Sequence, residues 1–429
     1  MTFLRHYRWE IIVALLALCV HAICFLVVVQ VNEGSVINTV RADDGYFEIA
    51  TNLLAGNGFS MATTSPYIPN ALRTPGYIYF LAGLLGATGS VALTAVIQLV
   101  VASAIPVVGM HIARYITHSS RIGIGAGIIL ALDPTLALLS FQFYTDTLFV
   151  ALFFAWMLLI FRYLDRPTWI LLILSAAVLG LAIITRPTAQ YIPLLLAPFI
   201  MWRFGREKWR LGAAHVALSL AIVGAILAPW IVRNYQEFGA PGLSAQRAYV
   251  LYTNFAPAAL SVARGSDFAT EVAVFTAVAK PSNDVINPLS ADLYTEKAFE
   301  VIFAHPMASA FVAVKSLFTF FTNDGAYTLL VVIGYTPHDF LPLLVAARLV
   351  WVMITLAAFV GAFVYLLKER SQLAILLILL VAYFALTSII AAFGTNPRYR
   401  LPVDPILLAL AAVGGIYLVE RARRFRKNR

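Results

Sequence analysis

Charged residues are scarce in this sequence, since Asp, Glu, Lys and Arg together make up 12% of its 429 residues. Soluble domains carry about 25% of these residue types, which is roughly twice as much. Hydrophobic residues make up 61% of the chain, and one or two soluble cores cannot bury so many apolar side chains. This composition excludes an ordinary soluble protein and predicts an all-α polytopic membrane protein, with residues 1–429 forming a single membrane-embedded domain.

Cysteine and histidine are also rare, with two and seven copies. Cys19 and Cys24 lie five residues apart in one apolar run, so they point to different faces of a helix and predict neither a disulfide nor a metal pair. His305 and His338 are isolated, and no His or Cys spacing indicates a metal site. The sequence therefore predicts no cofactor, although it leaves a divalent metal open.

Long apolar runs, in contrast, are abundant. A helix needs about 20 mainly apolar residues to cross the hydrocarbon core of a bilayer. Ten runs are candidates for such spans: 11–31, 90–116, 121–141, 145–164, 167–185, 188–203, 211–233, 341–367, 371–392 and 401–419. The shorter apolar runs at 76–85 and 307–321 are typical of helices that lie along the membrane interface.

The distribution of charge predicts how these spans are oriented. With the N-terminus inside, the tails and short loops on that side hold 18 of the 30 basic residues and five of the 21 acidic ones. Such an excess of Lys and Arg is typical of the cytoplasmic face. We therefore expect both termini in the cytoplasm, in a bacterial inner membrane. The net charge of +9 then reflects orientation, and nucleic acid is not predicted as a partner.

This topology leaves two long segments on the exterior side. One is residues 32–89, which we expect to contain interfacial helices after the first span. The other is residues 234–340, between spans seven and eight, with one helical pattern over Ala291–Ala304. No internal repeat is visible, whereas inverted repeats are common in transporters. Because the longest loops are exterior, we expect the chemistry on that side.

Four acidic residues are candidates for that chemistry. Asp43 and Asp44 directly precede a helix-forming run, so either one can cap the helix or act as a general base beside a cleft. Glu48 and Asp146 are candidates for the acceptor side of a site. Asp146 stands where a span begins, which also suits a helix cap.

Seven arginines stand at exterior helix ends or in the exterior loops, where the orientation rule predicts few. They are Arg73, Arg186, Arg233, Arg247, Arg348, Arg398 and Arg400. Any one of them is explained as a membrane anchor or a salt-bridge partner. A planar guanidinium also binds phosphate with two hydrogen bonds, so several together beside acidic residues predict a phosphate-binding site.

Several short motifs resemble those of a known family. They are Asp43-Asp44, the run from Tyr46 to Ser60, Arg73-Thr-Pro-Gly-Tyr, Ile183-Ile-Thr-Arg-Pro, Ala228-Pro-Trp-Ile-Val-Arg-Asn-Tyr and Arg398-Tyr-Arg-Leu-Pro. The chain thereby resembles bacterial integral-membrane glycosyltransferases of the GT-C class, relatives of protein O-mannosyltransferases and of the lipid A aminoarabinose transferase. Relatives commonly carry Asp-Glu where this chain has Asp43-Asp44, so which aspartate corresponds to the family's base stays open.

The resemblance implies inverting transfer of a sugar from a polyprenyl-phosphate donor to an acceptor hydroxyl on a glycan, lipid or protein. Asp43 or Asp44 would be the base, and exterior arginines would stabilise the phosphate leaving group. Two other functions use the same residues: a transporter or flippase of a lipid-linked anion, and a glycan ligase or polymerase with a lipid-diphosphate donor. The absence of a visible repeat argues against the transporter.

Overall fold

The computed structural model describes residues 7–41, 44–279, 287–369 and 372–427. Within these ranges the fold is all-α, and its single β-type contact is an isolated antiparallel bridge between Ser60 and Pro69. The predicted all-α class is therefore confirmed.

The first half of the chain forms twelve α-helices within the described residues. They are α1 (Arg8–Val31), α2 (Val36–Val40), α3 (Tyr46–Leu54), α4 (Pro75–Thr88), α5 (Val91–Ala102), α6 (Ile105–Thr117), α7 (Ser120–Ala131), α8 (Pro134–Leu139), α9 (Thr145–Asp165), α10 (Trp169–Thr185), α11 (Ile192–Phe204) and α12 (Trp209–Phe238).

The second half adds nine α-helices in the described ranges. They are α13 (Gln246–Val250), α14 (Ala256–Arg264), α15 (Phe268–Ala279), α16 (Ala291–Ala304), α17 (Pro306–Thr322), α18 (Ala326–Val332), α19 (Leu341–Glu369), α20 (Gln372–Ser388) and α21 (Asp404–Lys427). A π-helical turn, Leu251–Phe255, joins α13 to α14, and three 3-10 turns between Ile389 and Val403 join α20 to α21. The helix predicted over Ala291–Ala304 has these bounds in the structure.

Seven helical segments of the described chain are long and apolar enough to cross a membrane. They are Arg8–Val31, Val91–Thr117, Thr145–Asp165, Trp209–Phe238, Pro337–Leu367, Gln372–Gly394 and Leu401–Arg426. The pair α16 and α17, bent by 105° at His305, brings the number to eight if it counts as one span. The predicted integral membrane protein is thus supported, whereas the predicted number of ten spans is not confirmed.

The other three predicted spans are shorter helices in the structure. The run 121–141 is interrupted after α7, because the Asp133 side chain accepts a hydrogen bond from Leu136 N at 2.8 Å and starts the separate helix α8. Helix α10 has 17 residues and α11 has 13. An unbroken apolar run therefore did not guarantee one helix of spanning length.

The core of the bundle is aromatic around α9, where Phe149, Phe153 and Trp156 are fully buried. Phe149 and Phe153 pack against Phe384, and Trp156 packs against Phe153. Helices α19 and α21 cross so closely that a Cβ on Gly361 would lie 1.8 Å from Leu410 O. Between helices in lipid, where the surroundings are also apolar, close packing of this kind supplies much of the stabilisation.

Candidate functional site

Seven separate stretches of chain meet at one cavity of about 250 Å³. It lies where α9 begins and α10 ends, between the loop before α3 and the turns before α21. Its charged lining residues are Asp44, Arg73, Asp146, Arg186, Arg247 and Arg398. Six residues from the predicted site, distant in sequence, therefore share one cavity.

Asp44 and Arg73 form the first ion pair of this cavity. Arg73 Nη2 donates to Asp44 Oδ1 at 2.8 Å, and Arg73 Nε donates to the Asp44 carbonyl at 2.8 Å. Arg73 Nη1 reaches Gln246 Oε1 at 2.9 Å, and its guanidinium carbon lies 4.9 Å from the centre of the Tyr46 ring. Burial alone would lower the pKa of Arg73, but Tyr46 and Asp44 raise it, so the guanidinium stays charged.

The local backbone keeps the Asp44 carboxylate out of the helix cap. Gly45 occupies the cap position of α3 with φ +78°, a left-handed conformation that favours glycine, and no side chain caps this helix end. The Asp44 side chain is 35% exposed, while its partner Arg73 is 12% exposed. The capping interpretation therefore does not hold for Asp44, and its carboxylate is accessible from the cavity.

Asp146 and Arg186 form the second ion pair, with Arg186 Nη1 donating to Asp146 Oδ1. Asp146 stands in the first turn of α9 and is 3% exposed, and Arg186 directly follows the last residue of α10. The Arg186 guanidinium also lies over the rings of Tyr399 and Phe149, at 5.3 and 5.8 Å from their centres. The ion pair thus connects two helix ends beside the cavity.

Arg398 faces the same cavity from the turn Pro397–Tyr399. Its guanidinium carbon lies 5.6 Å from the centre of the Tyr144 ring and 5.3 Å from that of Tyr399. Burial would lower the pKa of Arg398, but Tyr399, Asp146 and Asp44 raise it well above its usual value. Arg398 Nε is buried and has no hydrogen-bond partner among the described residues. A charged donor without a partner, beside a cavity, is suited to an anionic ligand.

The other predicted residues lie elsewhere or at the edge. Arg247 is exposed at the cavity rim, with Nη1 3.3 Å from Tyr191 Oη. Glu48 pairs with Arg41 at 2.5 Å, and Arg348 pairs with Asp324 at 3.5 Å. Asp43 lies outside the described residues.

Two further arginines are also outside this cavity. Arg400 is fully buried against Asp404, and Arg233 lines a different cavity. Like Arg348, they do not line the cavity in which a phosphate site was predicted. We therefore leave Arg233, Arg348 and Arg400 out of the proposed phosphate site.

Sequence reasoning missed the aromatic and amide part of the lining. Tyr46, Tyr144, Tyr191, Gln246 and Tyr399 all line the cavity. The motifs already contained Tyr46 and Tyr399, each next to a predicted charged residue or separated from one by a single residue, and that proximity was the available signal. Gln246 stands next to the predicted Arg247, but only the fold brings it within 2.9 Å of Arg73.

Part of this chain is similar in sequence to a known protein family. Residues 72–232 match the family described as dolichyl-phosphate-mannose-protein mannosyltransferase. This part of the chain is similar to that family. The resemblance predicted from the motifs is thereby confirmed, and the matched range contains Arg73, Asp146 and Arg186 but neither Asp44 nor Arg398. No curated protein matches the chain.

The mannosyltransferase-like region contributes about half of the charged cavity lining, and the remaining charges come from outside it. No group of three or more His, Cys, Asp and Glu side chains in the described ranges is arranged to hold a metal ion. What the cavity residues offer is three buried or half-buried guanidiniums beside two carboxylates. This set can bind an anion and, at the more accessible carboxylate, accept a proton.

Proposed function

We propose that the protein is a membrane glycosyltransferase that transfers a sugar, with inversion, from a polyprenyl-phosphate donor to an acceptor hydroxyl. The single observation that carries the proposal is the cavity in which Asp44 is half-exposed beside Arg73, Arg186 and Arg398. The similarity of residues 72–232 to a family that is named for a lipid-phosphate sugar donor supports the same reaction class.

The donor phosphate would bind to Arg398 and Arg186. Arg398 contributes the buried Nε that lacks a partner in the described chain, and Arg186 has a planar guanidinium at the end of α10. Positive groups held in place where negative charge develops are typically the largest contribution to catalysis. Polyprenyl phosphate can then leave as an anion, and no general acid is needed.

Asp44 would act as the general base. As the acceptor oxygen attacks the anomeric carbon, a new C–O bond forms and the bond from that carbon to the phosphate oxygen breaks. The hydroxyl proton passes to the Asp44 carboxylate, and the electron pair of the broken bond stays on the phosphate. Arg73, which is hydrogen-bonded to Asp44 at 2.8 Å, would hold that carboxylate in a fixed orientation.

Asp146 would have a positioning role in this scheme. It is 3% exposed and paired with Arg186, so it has less access to an acceptor than Asp44 has. Its charge balances Arg186 and fixes that guanidinium between α9 and α10. We place the cavity on the outer face of a bacterial cytoplasmic membrane, because Arg162, at the other end of α9, belongs to the basic segments predicted to be cytoplasmic.

The experiment that tests this function is a transfer assay with the purified full chain and radiolabelled polyprenyl-phosphate sugars. Asp44→Asn should reduce the transfer rate by about 10²–10⁴-fold, the usual contribution of general acid–base catalysis. Donor binding should persist, because the arginines remain. Glu48→Gln, a nearby acidic residue that is not in the cavity, is the matched control and should retain its rate.

Full activity of Asp44→Asn would contradict the assignment of the base, and the same assay on Asp43→Asn would then test the neighbouring aspartate. If the wild-type protein transfers sugar only from polyprenyl-diphosphate donors, or moves the lipid across vesicles without transfer, the proposed reaction is wrong.

A further inference from the structure

A second cavity, of about 380 Å³, lies beside the one described above. The two are separated where α4 begins against the end of α10. Thr74 and Thr185 line the first cavity, the next residue Pro75 and the preceding residue Ile184 line the second, and Thr74 Oγ1 donates to Thr185 O at 3.0 Å across this contact. The two cavities therefore share one thin wall.

The loop between α3 and α4 gives the second cavity a fixed shape. Asn52 Nδ2 donates to Ser60 O and to Ala62 O, both at 2.8 Å, and Asn70 N donates to Phe59 O at 2.8 Å. Arg233, on α12, attaches the same loop through a 3.0 Å hydrogen bond to Asn70 O. Side chains on two helices thus hold the loop in place, and a ligand would not need to order it.

Aromatic rings and a few polar groups line this cavity. The rings are Phe59, Tyr67, Tyr79 and Trp230, and the polar side chains are Asn57, Arg233 and Glu237. The Arg233 guanidinium carbon lies 4.8 Å from the centre of the Trp230 ring and 5.5 Å from that of Phe59. Small-molecule sites are commonly about 300–1,000 Å³ in volume, mainly apolar, with few oriented polar groups.

A sugar ring matches this mixture. The C–H face of a pyranose packs on aromatic rings, while its hydroxyls both donate and accept hydrogen bonds, so they can use a guanidinium, a carboxylate and an amide together. A hydrocarbon chain, in contrast, could form no hydrogen bond with the Arg233 and Glu237 side chains that line this cavity. For a lipid phosphate, the negative charge of Glu237 opposes the attraction of Arg233 in the same cavity. The Tyr79 ring is 57% exposed, so part of its surface is available to a ligand.

We propose that this second cavity binds a pyranose unit of a glycan, as a carbohydrate site adjoining the cavity that contains Asp44. This role rests on the proposed function. One sugar of the acceptor would receive the transferred sugar in the first cavity, and the second cavity would hold the neighbouring sugar of the same acceptor. The acceptor class is then a glycan with at least two sugar units.

Direct binding tests the site without requiring transfer. The full-length protein, in a detergent that has no sugar headgroup, is titrated with a panel of methyl glycosides and neutral disaccharides and followed by saturation-transfer difference NMR. Tyr79→Ala and Glu237→Gln should each weaken glycoside binding by roughly tenfold. Tyr235→Ala is the matched control, because Tyr235 is 59% exposed and does not line the cavity.

Asp44→Asn separates this proposal from the proposed function. If transfer is lost in Asp44→Asn while glycoside binding is unchanged, the two cavities have separate roles, as proposed. If sugar transfer cannot be detected with any donor but Tyr79→Ala still weakens glycoside binding, the proposed function fails and the carbohydrate site stands.

Three results would overturn the carbohydrate site. The first is that no member of the panel binds. The second is that both cavity variants bind the glycosides as tightly as Tyr235→Ala does. The third is that dodecyl phosphate displaces the bound glycoside and is itself lost in Tyr79→Ala, which would identify a lipid-phosphate site instead.

Discussion

The two arginines of the Arg398-Tyr399-Arg400 motif have contrasting surroundings, although one residue separates them. Arg398 lines the cavity, and its Nε has no partner in the described ranges. The Arg400 side chain is 0% exposed: its Nε donates to Asp404 Oδ1 at 2.7 Å and its Nη1 donates to Phe320 O and Asn323 O at 3.1 and 2.7 Å. The same residue type is therefore exposed to a ligand at one position and enclosed by protein at the other.

The Arg400 cluster stabilises the turns that carry Arg398. The Arg400 guanidinium carbon lies 3.6 Å from the centre of the Trp351 ring, so the cluster joins α17, α19 and α21 at one point. A charge enclosed by protein has no access to substrate, and its contribution is to the arrangement of the helices. Accessibility, and not residue type, separates the arginines that can act on a ligand from those that hold the fold.

The largest effect on stability is expected from breaking the enclosed pair. Arg400→Met leaves the Asp404 carboxylate buried without its partner, which typically costs about 3–5 kcal/mol. The free energy of unfolding should fall by this amount, measured by thermal unfolding of the protein in detergent. Arg400→Met combined with Asp404→Leu should recover most of the loss, because no buried charge then remains. A loss below about 1 kcal/mol in the single variant would show that the pair contributes little.

A smaller effect, and one on activity, is expected at the cavity pair. Arg186→Lys keeps the positive charge but loses the planar guanidinium, so the transfer rate should fall by roughly 10²-fold, as for loss of one oxyanion donor. The melting temperature should change less than in Arg400→Met, because the lysine still carries a positive charge beside the buried Asp146 carboxylate. Initial rates and melting temperatures are measured on the same samples, with Arg348→Lys, which lies outside the cavity, as the control. A large drop in melting temperature with an unchanged rate would show that Arg186 has a structural role, like Arg400.

The smallest effect is expected at a pair that is neither enclosed nor in the cavity. Arg348 is 40% exposed and lies 3.5 Å from Asp324, whose Oδ1 also accepts a hydrogen bond from Ala326 N at 2.8 Å. Arg348→Gln should change the free energy of unfolding by less than about 1 kcal/mol, because Arg348 is in contact with solvent and the Asp324 carboxylate keeps its hydrogen bond from Ala326 N. Sugar transfer should remain unchanged. A rate loss as large as that of Arg186→Lys would show that Arg348 contributes to catalysis after all.

Much of the helical architecture could be predicted from local sequence. The apolar runs that correspond to α1, α9, α12 and α19 are long enough to be recognised without neighbours. The run 121–141 was wrongly predicted to be one span, because hydropathy gives little weight to the single residue Asp133. Its carboxylate accepts a hydrogen bond from Leu136 N and so starts the separate helix α8. A helix cap is a specific hydrogen bond, and the mean hydropathy of a sequence window does not detect it.

The candidate site was predictable in part. Asp44, Arg73, Asp146, Arg186, Arg247 and Arg398 were all selected from the sequence and line one cavity. Arg233 and Arg400 were selected by the same reasoning and do not line it, because a helix end presents side chains in several directions. Which direction faces the cavity depends on the packing of other helices.

The sequence by itself determined the class of the protein, because scarce charge and long apolar runs leave a helical membrane protein as the physical solution. It also determined the set of residue types available for chemistry and, through local motifs, the resemblance to glycosyltransferases. Only the tertiary structure decided which charges can meet a ligand. Accessibility is a property of the assembled bundle, since residues as distant as Asp44, Arg186 and Arg398 become neighbours only after the helices pack.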